Sequence, residues 1–364
     1  MGTYPFTQEE IDKLPTILDV VEDISRIENN LILPMASVVP SSPYYDEGRY
    51  NFVSDKNNQT IVRLMPMSQS PTTFFRGQNK YYSPCVPSIF RGVVDNHTPS
   101  EEYIAASRIK TMELGLSLCE HPVFKEVCQN EYVDIVTMAQ HYGLATEYLD
   151  VTNSKWVAAF FASSGYDYNT DSYYPVGRDF GDGLGVMYIS KVDEEKNVLP
   201  QIFDRLDVIG YQYFQRPTKQ SSFGYRLNLG EDFNNNHLFD KVFFRHDLKA
   251  SQVVFEMSYR QDRFIPKDSL SKLARQIKES KEVSRAALFY CWNNFYSDKE
   301  PSFLDDICAA KGWAIREQNG PIVQFSREEI EADWKAWNEY GREDLRSRIL
   351  PVIPITCIPV KDGN

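Results

Sequence analysis

Long hydrophobic runs are missing from this sequence: nowhere do about 18 apolar residues follow one another, the length that a membrane-crossing helix requires. Its start, MGTYPFTQEEIDKL, lacks the basic-then-apolar layout of a signal peptide. Phe6 stands where a myristoylation site has serine or threonine, so that reading is rejected too. Basic charge is short, with 39 Lys and Arg against 51 Asp and Glu and a formal net charge of −12. Displacing counterions from DNA or RNA takes many cations, so this balance argues against nucleic acid as the main partner. Histidine is scarce, and Cys85, Cys119, Cys128, Cys291, Cys308 and Cys357 form no C-x-x-C pair and have no histidine at ligand spacing. A metal site and a disulfide framework both drop out, leaving reduced thiols in the cytoplasm as the expectation. Gly-rich phosphate loops, a G-x-S-x-G elbow, H-E-x-x-H and a kinase motif set are absent as well.

What is present suits a large core. The 364 residues are 42% hydrophobic and 13% aromatic, which excludes a disordered or fibrous chain. Thr7-Gln8-Glu9-Glu10 and Ser326-x-x-Glu329 are capping boxes, each opening a helix. Further helices are expected after Thr98-Pro99-Ser100-Glu101, over about Val123–His141, from Trp156 to Ala162 behind Thr152 or Asn153, and through Leu270, Leu273, Ala274 and Ile277. Strands are expected at Thr73–Arg76, Gly185–Val192 and Gln252–Tyr259, a hairpin around Asn319-Gly320, and an edge strand within Leu350–Val360. Helices and strands do not alternate regularly, which predicts an α+β fold with a mixed or antiparallel split sheet flanked by helices. The expected division is an N-terminal helical extension over 1–60, a main domain over 61–325 with its core motifs at 73–280, and a C-terminal helix and tail over 326–364.

Two segments carry unusual polar density. Phe75-Arg76-Gly77-Gln78 puts a guanidinium at a strand end, followed by a glycine that lets a ligand approach the backbone, and by an amide. Ala139-Gln140-His141-Tyr142-Gly143-Leu144 and Tyr148-Leu149-Asp150 add an amide, an imidazole, two phenols and a carboxylate between apolar stretches. Buried polar groups need partners, so Arg76, Gln140, His141 and Asp150 are expected to converge. A purely structural network, with Arg76 paired to Asp150, is the plain alternative.

The segments FFRGQ, SPCVPSIFR and MAQHYGLATEYLDVTNSKWVAAFFA, with Arg216-Pro217-Thr218-Lys219-Gln220 further on, resemble the FRG domain, a family named for its Phe-Arg-Gly motif. The resemblance covers roughly residues 60–280 and departs at Ala145, Glu147 and Val151, where the family usually has Pro, Arg and Trp. It implies a bacterial protein of a family with apparent links to defence. A looser similarity ties this pattern to ADP-ribosyltransferases, which hold NAD in a split α+β fold. That similarity implies Arg76 on the NAD phosphate or ribose, Gln78 bracing the turn, and Tyr142 or Tyr148 against the nicotinamide. It further implies a late carboxylate or amide near the ribose, Glu256 or Gln220, with His141 beside it. NAD is then a substrate and no metal is needed. A nucleotide-binding or protein-recognition module without chemistry is the alternative, with an unknown protein as partner.

Overall fold

The computed structural model describes residues 6–30, 50–54, 62–66, 73–91, 93–94, 98–129, 133–191, 201–202, 204–209 and 213–342. The expected edge strand within Leu350–Val360, and Cys357, lie outside the described residues.

Short strands, the inner ones buried along most of their length, assemble one antiparallel six-stranded sheet. Its order is Leu206–Val208, Ser222–Arg226, Tyr148–Thr152, Phe75–Gln78, Leu184–Ser190 and Phe239–Arg245. Period-two alternation sends adjacent phenylalanines to opposite faces. Phe75, with Met187 and Phe244, packs against Val157, Ala158 and Phe160 of the Lys155–Ser163 helix and against Ile17, Val20, Val21 and Ile24 of the Ile17–Asn30 helix. Phe74 joins Leu149, Val151, Tyr188 and Phe223 in an aromatic-rich cluster on the other face. The Glu101–Glu120 helix belongs to two further cores, through Leu114 and Leu118 at one end and Ala105 and Ile109 at the other. This is the α+β architecture expected from the sequence.

The two central strands barely touch. Their ladder consists of one pair, Phe75 opposite Thr152, after which they diverge. The Lys155–Ser163 helix fills one side of this split so closely that a Cβ on Gly77 would lie 1.8 Å from the Ala158 carbonyl oxygen. Gly77 is therefore required by helix packing.

Several expected elements are corrected. Gln252–Tyr259 is no strand: Leu248–Met257 is a helix, with Asp247 capping it through the Ala250 amide at 3.0 Å. Its apolar run is divided by helical geometry, with Ala250 and Val254 buried and Val253 and Met257 exposed. The Asn319-Gly320 hairpin does not form, because Ala314–Arg316 pairs in parallel with distant Glu282–Ser284. Thr98–Pro99 pairs with Val93–Val94, and the following helix starts at Glu101 with Ser100 as its cap. The Val123–His141 stretch becomes two helices, Pro122–Val127 and Ile135–His141, the second capped by Asp134. Ser154, not Thr152 or Asn153, caps the Lys155–Ser163 helix.

Candidate functional site

His141 is the last residue of the Ile135–His141 helix, which Gly143 ends in a left-handed conformation at φ +80°. Arg216 donates from Nη1 to the His141 carbonyl at 3.1 Å, pinning this helix end. The imidazole is 1% exposed, and its Nδ1 lies 3.0 Å from Gln220 Oε1. Gln220 follows the short Arg216–Lys219 helix, and its Nε2 donates to the Phe264 carbonyl at 3.0 Å. A carbonyl only accepts, so the Gln220 amide must face it with nitrogen and offer its oxygen to the ring. Nδ1 of His141 therefore carries the proton, and Nε2 is the basic nitrogen of the neutral ring. Nε2 points toward Asp150, 3.6 Å from Oδ1.

Asp150 sits where the sheet splits. Arg76 reaches across the gap and donates from Nη1 to the Asp150 main-chain carbonyl at 2.7 Å. Strand alternation puts the Arg76 side chain on the Phe74 face and the Asp150 carboxylate on the opposite one. The gap between them is a cavity of about 260 Å³ that draws on both faces. Arg76, Arg91, His141, Asp150, Gln220 and Tyr173 are among its walls. Arg76 Nε, His141 Nε2 and Asp150 Oδ1 are all buried there without a hydrogen-bond partner.

The cavity is electropositive at one end. Burial, and then repulsion from Arg76, lower the Arg91 guanidinium from its ordinary value. Burial pushes the phenols of Tyr173 and Tyr82 up, so both rings stay neutral and serve as donors and flat apolar walls.

Gln78 is a cavity wall as well, with its amide buried in contact with the Cys85 thiol at 3.4 Å, bracing the loop that carries Tyr82 and Arg91. Most of the remaining expected residues have other places. Gln140 turns away and accepts from Thr146 Oγ1 at 2.8 Å and Ser88 Oγ at 3.2 Å. Tyr142 donates to Asp268 at 2.7 Å and Tyr148 to Asp207 at 2.6 Å, so neither ring reaches the cavity. Glu256 is an exposed helical residue paired with Arg260 at 3.3 Å, outside the cavity. Glu147, at the departure from the FRG pattern, is buried but lines no part of it. Arg91, Tyr82 and Tyr173 escaped the reading of site residues. For Arg91 the closing arginine of the SPCVPSIFR segment was a usable signal; the two tyrosines offered none.

Among the described residues no group of three His, Cys, Asp or Glu side chains is placed to hold a metal ion. No helix among them is long and apolar enough to cross a membrane. No curated protein and no solved structure gave a match to the chain. Residues 71–171 match the family model described as the FRG domain, and every cavity wall except Tyr173, Gln220 and Ser222 falls in that stretch.

Proposed function

We propose that the cleft binds a dinucleotide of the NAD type and breaks its glycosidic bond, passing ADP-ribose to an acceptor or to water. One observation carries this reading: Arg76 Nε, His141 Nε2 and Asp150 Oδ1 are buried, make no hydrogen bond and share one cavity, where the imidazole and the carboxylate face each other at 3.6 Å. Leaving such groups unmet is costly, and a phosphorylated ribose complements all three. Its phosphate accepts from the guanidinium, and its hydroxyls bond the carboxylate and the imidazole.

In the proposed reaction the C1′–N bond breaks, and nicotinamide leaves neutral with the bonding electron pair. The Asp150 carboxylate stabilises the oxocarbenium character left on the ribose. Water or an acceptor hydroxyl forms the new C1′–O bond, and its proton passes to His141 Nε2. Gln220 keeps that nitrogen basic by holding the proton on Nδ1. A protein is the proposed acceptor, and the unpaired thiols of Cys85, Cys119, Cys128, Cys291 and Cys308 support a cytoplasmic setting. A part in bacterial defence rests on the family resemblance alone.

The test is nicotinamide release from NAD, followed by chromatography, in wild type and His141→Ala. The expected result is release by wild type and a loss of about 100-fold or more in the variant. Binding of NAD without release would favour a recognition module, in which Arg76 and Arg91 hold the phosphates and His141 stays idle. Neither binding nor release would remove the nucleotide reading.

A further inference from the structure

The cavity, at about 260 Å³, falls below the roughly 300–1,000 Å³ of pockets that enclose a drug-sized molecule, and a dinucleotide is larger still. Half of such a ligand must lie outside, and the cavity mouth has the chemistry for it. Tyr82 is a cavity wall yet 49% exposed. The hairpin of Ser164–Asp167 and Ser172–Pro175 supplies two further wall residues, Ser164 at its base and Tyr173 next to its turn. Rings run outward along this hairpin. Tyr173 lies 4.9 Å from Tyr166, and Tyr166 lies 4.8 Å edge-on from Tyr168, whose ring is 86% exposed at the turn. Tyr82 on the cavity wall and Tyr168, two ring contacts out from the wall residue Tyr173, thus both offer exposed aromatic surface on the outer side of the cavity.

An aromatic side chain so exposed is normally a free rotor, but this turn is tied down. Asp167 accepts from the Asn169 amide and from Thr170 Oγ1, each at 2.9 Å. Tyr166 donates to Asp171, which is itself paired with Arg275. The turn that carries Tyr168 is thus held by its own hydrogen bonds, which lowers the ordering entropy that stacking on this ring must offset.

We propose that Tyr82 and Tyr168 form a second subsite, at the mouth of the cavity, that stacks the purine base of the bound dinucleotide. The proposal rests on the NAD reading above. Arg76 and Arg91 then lie along the diphosphate, between the ribose in the cavity and the purine at the mouth.

Calorimetric titration of the full chain with NAD, ADP-ribose and nicotinamide mononucleotide tests it, in wild type, Tyr168→Ala, Tyr82→Ala and Tyr168→Phe. Tyr168→Ala and Tyr82→Ala should each weaken NAD and ADP-ribose about tenfold, as expected for one lost base–aromatic stack, and Tyr168→Ala, at a position off the cavity wall, should leave the mononucleotide unchanged. Tyr168→Phe should bind as wild type, because it keeps the ring. Unchanged NAD affinity in both alanine variants, or equal weakening of the mononucleotide by Tyr168→Ala, overturns the subsite while the NAD reading stands. Wild type that binds none of the three ligands overturns both.

Discussion

Arg76 Nη1 donates to the Asp150 main-chain carbonyl at 2.7 Å, so a side chain spans the place where the Phe75–Gln78 and Tyr148–Thr152 strands part after one ladder pair. One residue thereby holds the split at a set width and presents its Nε to the cavity that the split creates. Structural and ligand-directed readings of Arg76 are two ends of one guanidinium.

Arg76→Lys separates those ends. Lysine keeps one donor for the Asp150 carbonyl but loses the planar fork. The free variant should melt close to wild type and lose most of the NAD-induced thermal shift, which follows RT ln(1 + [L]/Kd). Arg76→Ala should also lose about 1.5–3 kcal/mol of stability, the worth of a charge-assisted hydrogen bond. Thermal melts with and without NAD measure both.

Gln220→Ala removes the group that keeps the His141 proton on Nδ1. Nitrogen NMR of the imidazole should show the Nδ1-protonated tautomer in wild type and a mixture in the variant. Stability should drop by about 1–3 kcal/mol, because the Phe264 carbonyl and His141 Nδ1 lose a buried partner.

Gly77→Ala should be among the most damaging single changes. The new methyl would meet the Ala158 carbonyl oxygen at 1.8 Å, inside any allowed contact, so strand or helix must shift. A loss above about 3 kcal/mol is expected, read as a lowered denaturant midpoint or as insoluble expression.

His246 predicts the acid response. Burial, the main cause, lowers its imidazole below the ordinary 6.5, and Nε2 bonds the carbonyl of Asn79, a cavity wall, at 2.9 Å. Below about pH 6.5 the unfolded chain takes up a proton that the folded chain resists. This contribution is therefore complete above that pH and is lost as pH falls below it. His246→Gln, which keeps a donor but does not titrate, should flatten the melting temperature across that window.

Glu256→Ala should change almost nothing. Its carboxylate is exposed and paired with Arg260 in the turn that follows its helix, a contact worth about 0–1 kcal/mol. Nicotinamide release equal to wild type is the expected result; its loss would return Glu256 to the site.

What the sequence determined by itself was short-range chemistry. The capping boxes at Thr7–Glu10 and Ser326–Glu329 form as expected, because a cap is decided within four residues. The buried stripe of Leu270, Leu273, Ala274 and Ile277 was legible from its period. So was the polar loading of Arg76, His141 and Asp150, since polar residues set in apolar segments need partners. Tertiary structure decided the rest, wherever a distant segment had to choose. The Val253–Val254–Phe255 run suits a strand or a helix, and packing of Ala250 and Val254 against the Lys155–Ser163 helix made it helical. Ala314–Arg316 left its Asn-Gly turn unused because Glu282–Ser284 offered a ladder. Tyr142 and Tyr148 went to Asp268 and Asp207, partners 126 and 59 residues away, while Gln220 reached His141 across 79. Period and spacing say which face of an element is polar; only the sheet order and the single Phe75–Thr152 pair say which polar groups share a cavity.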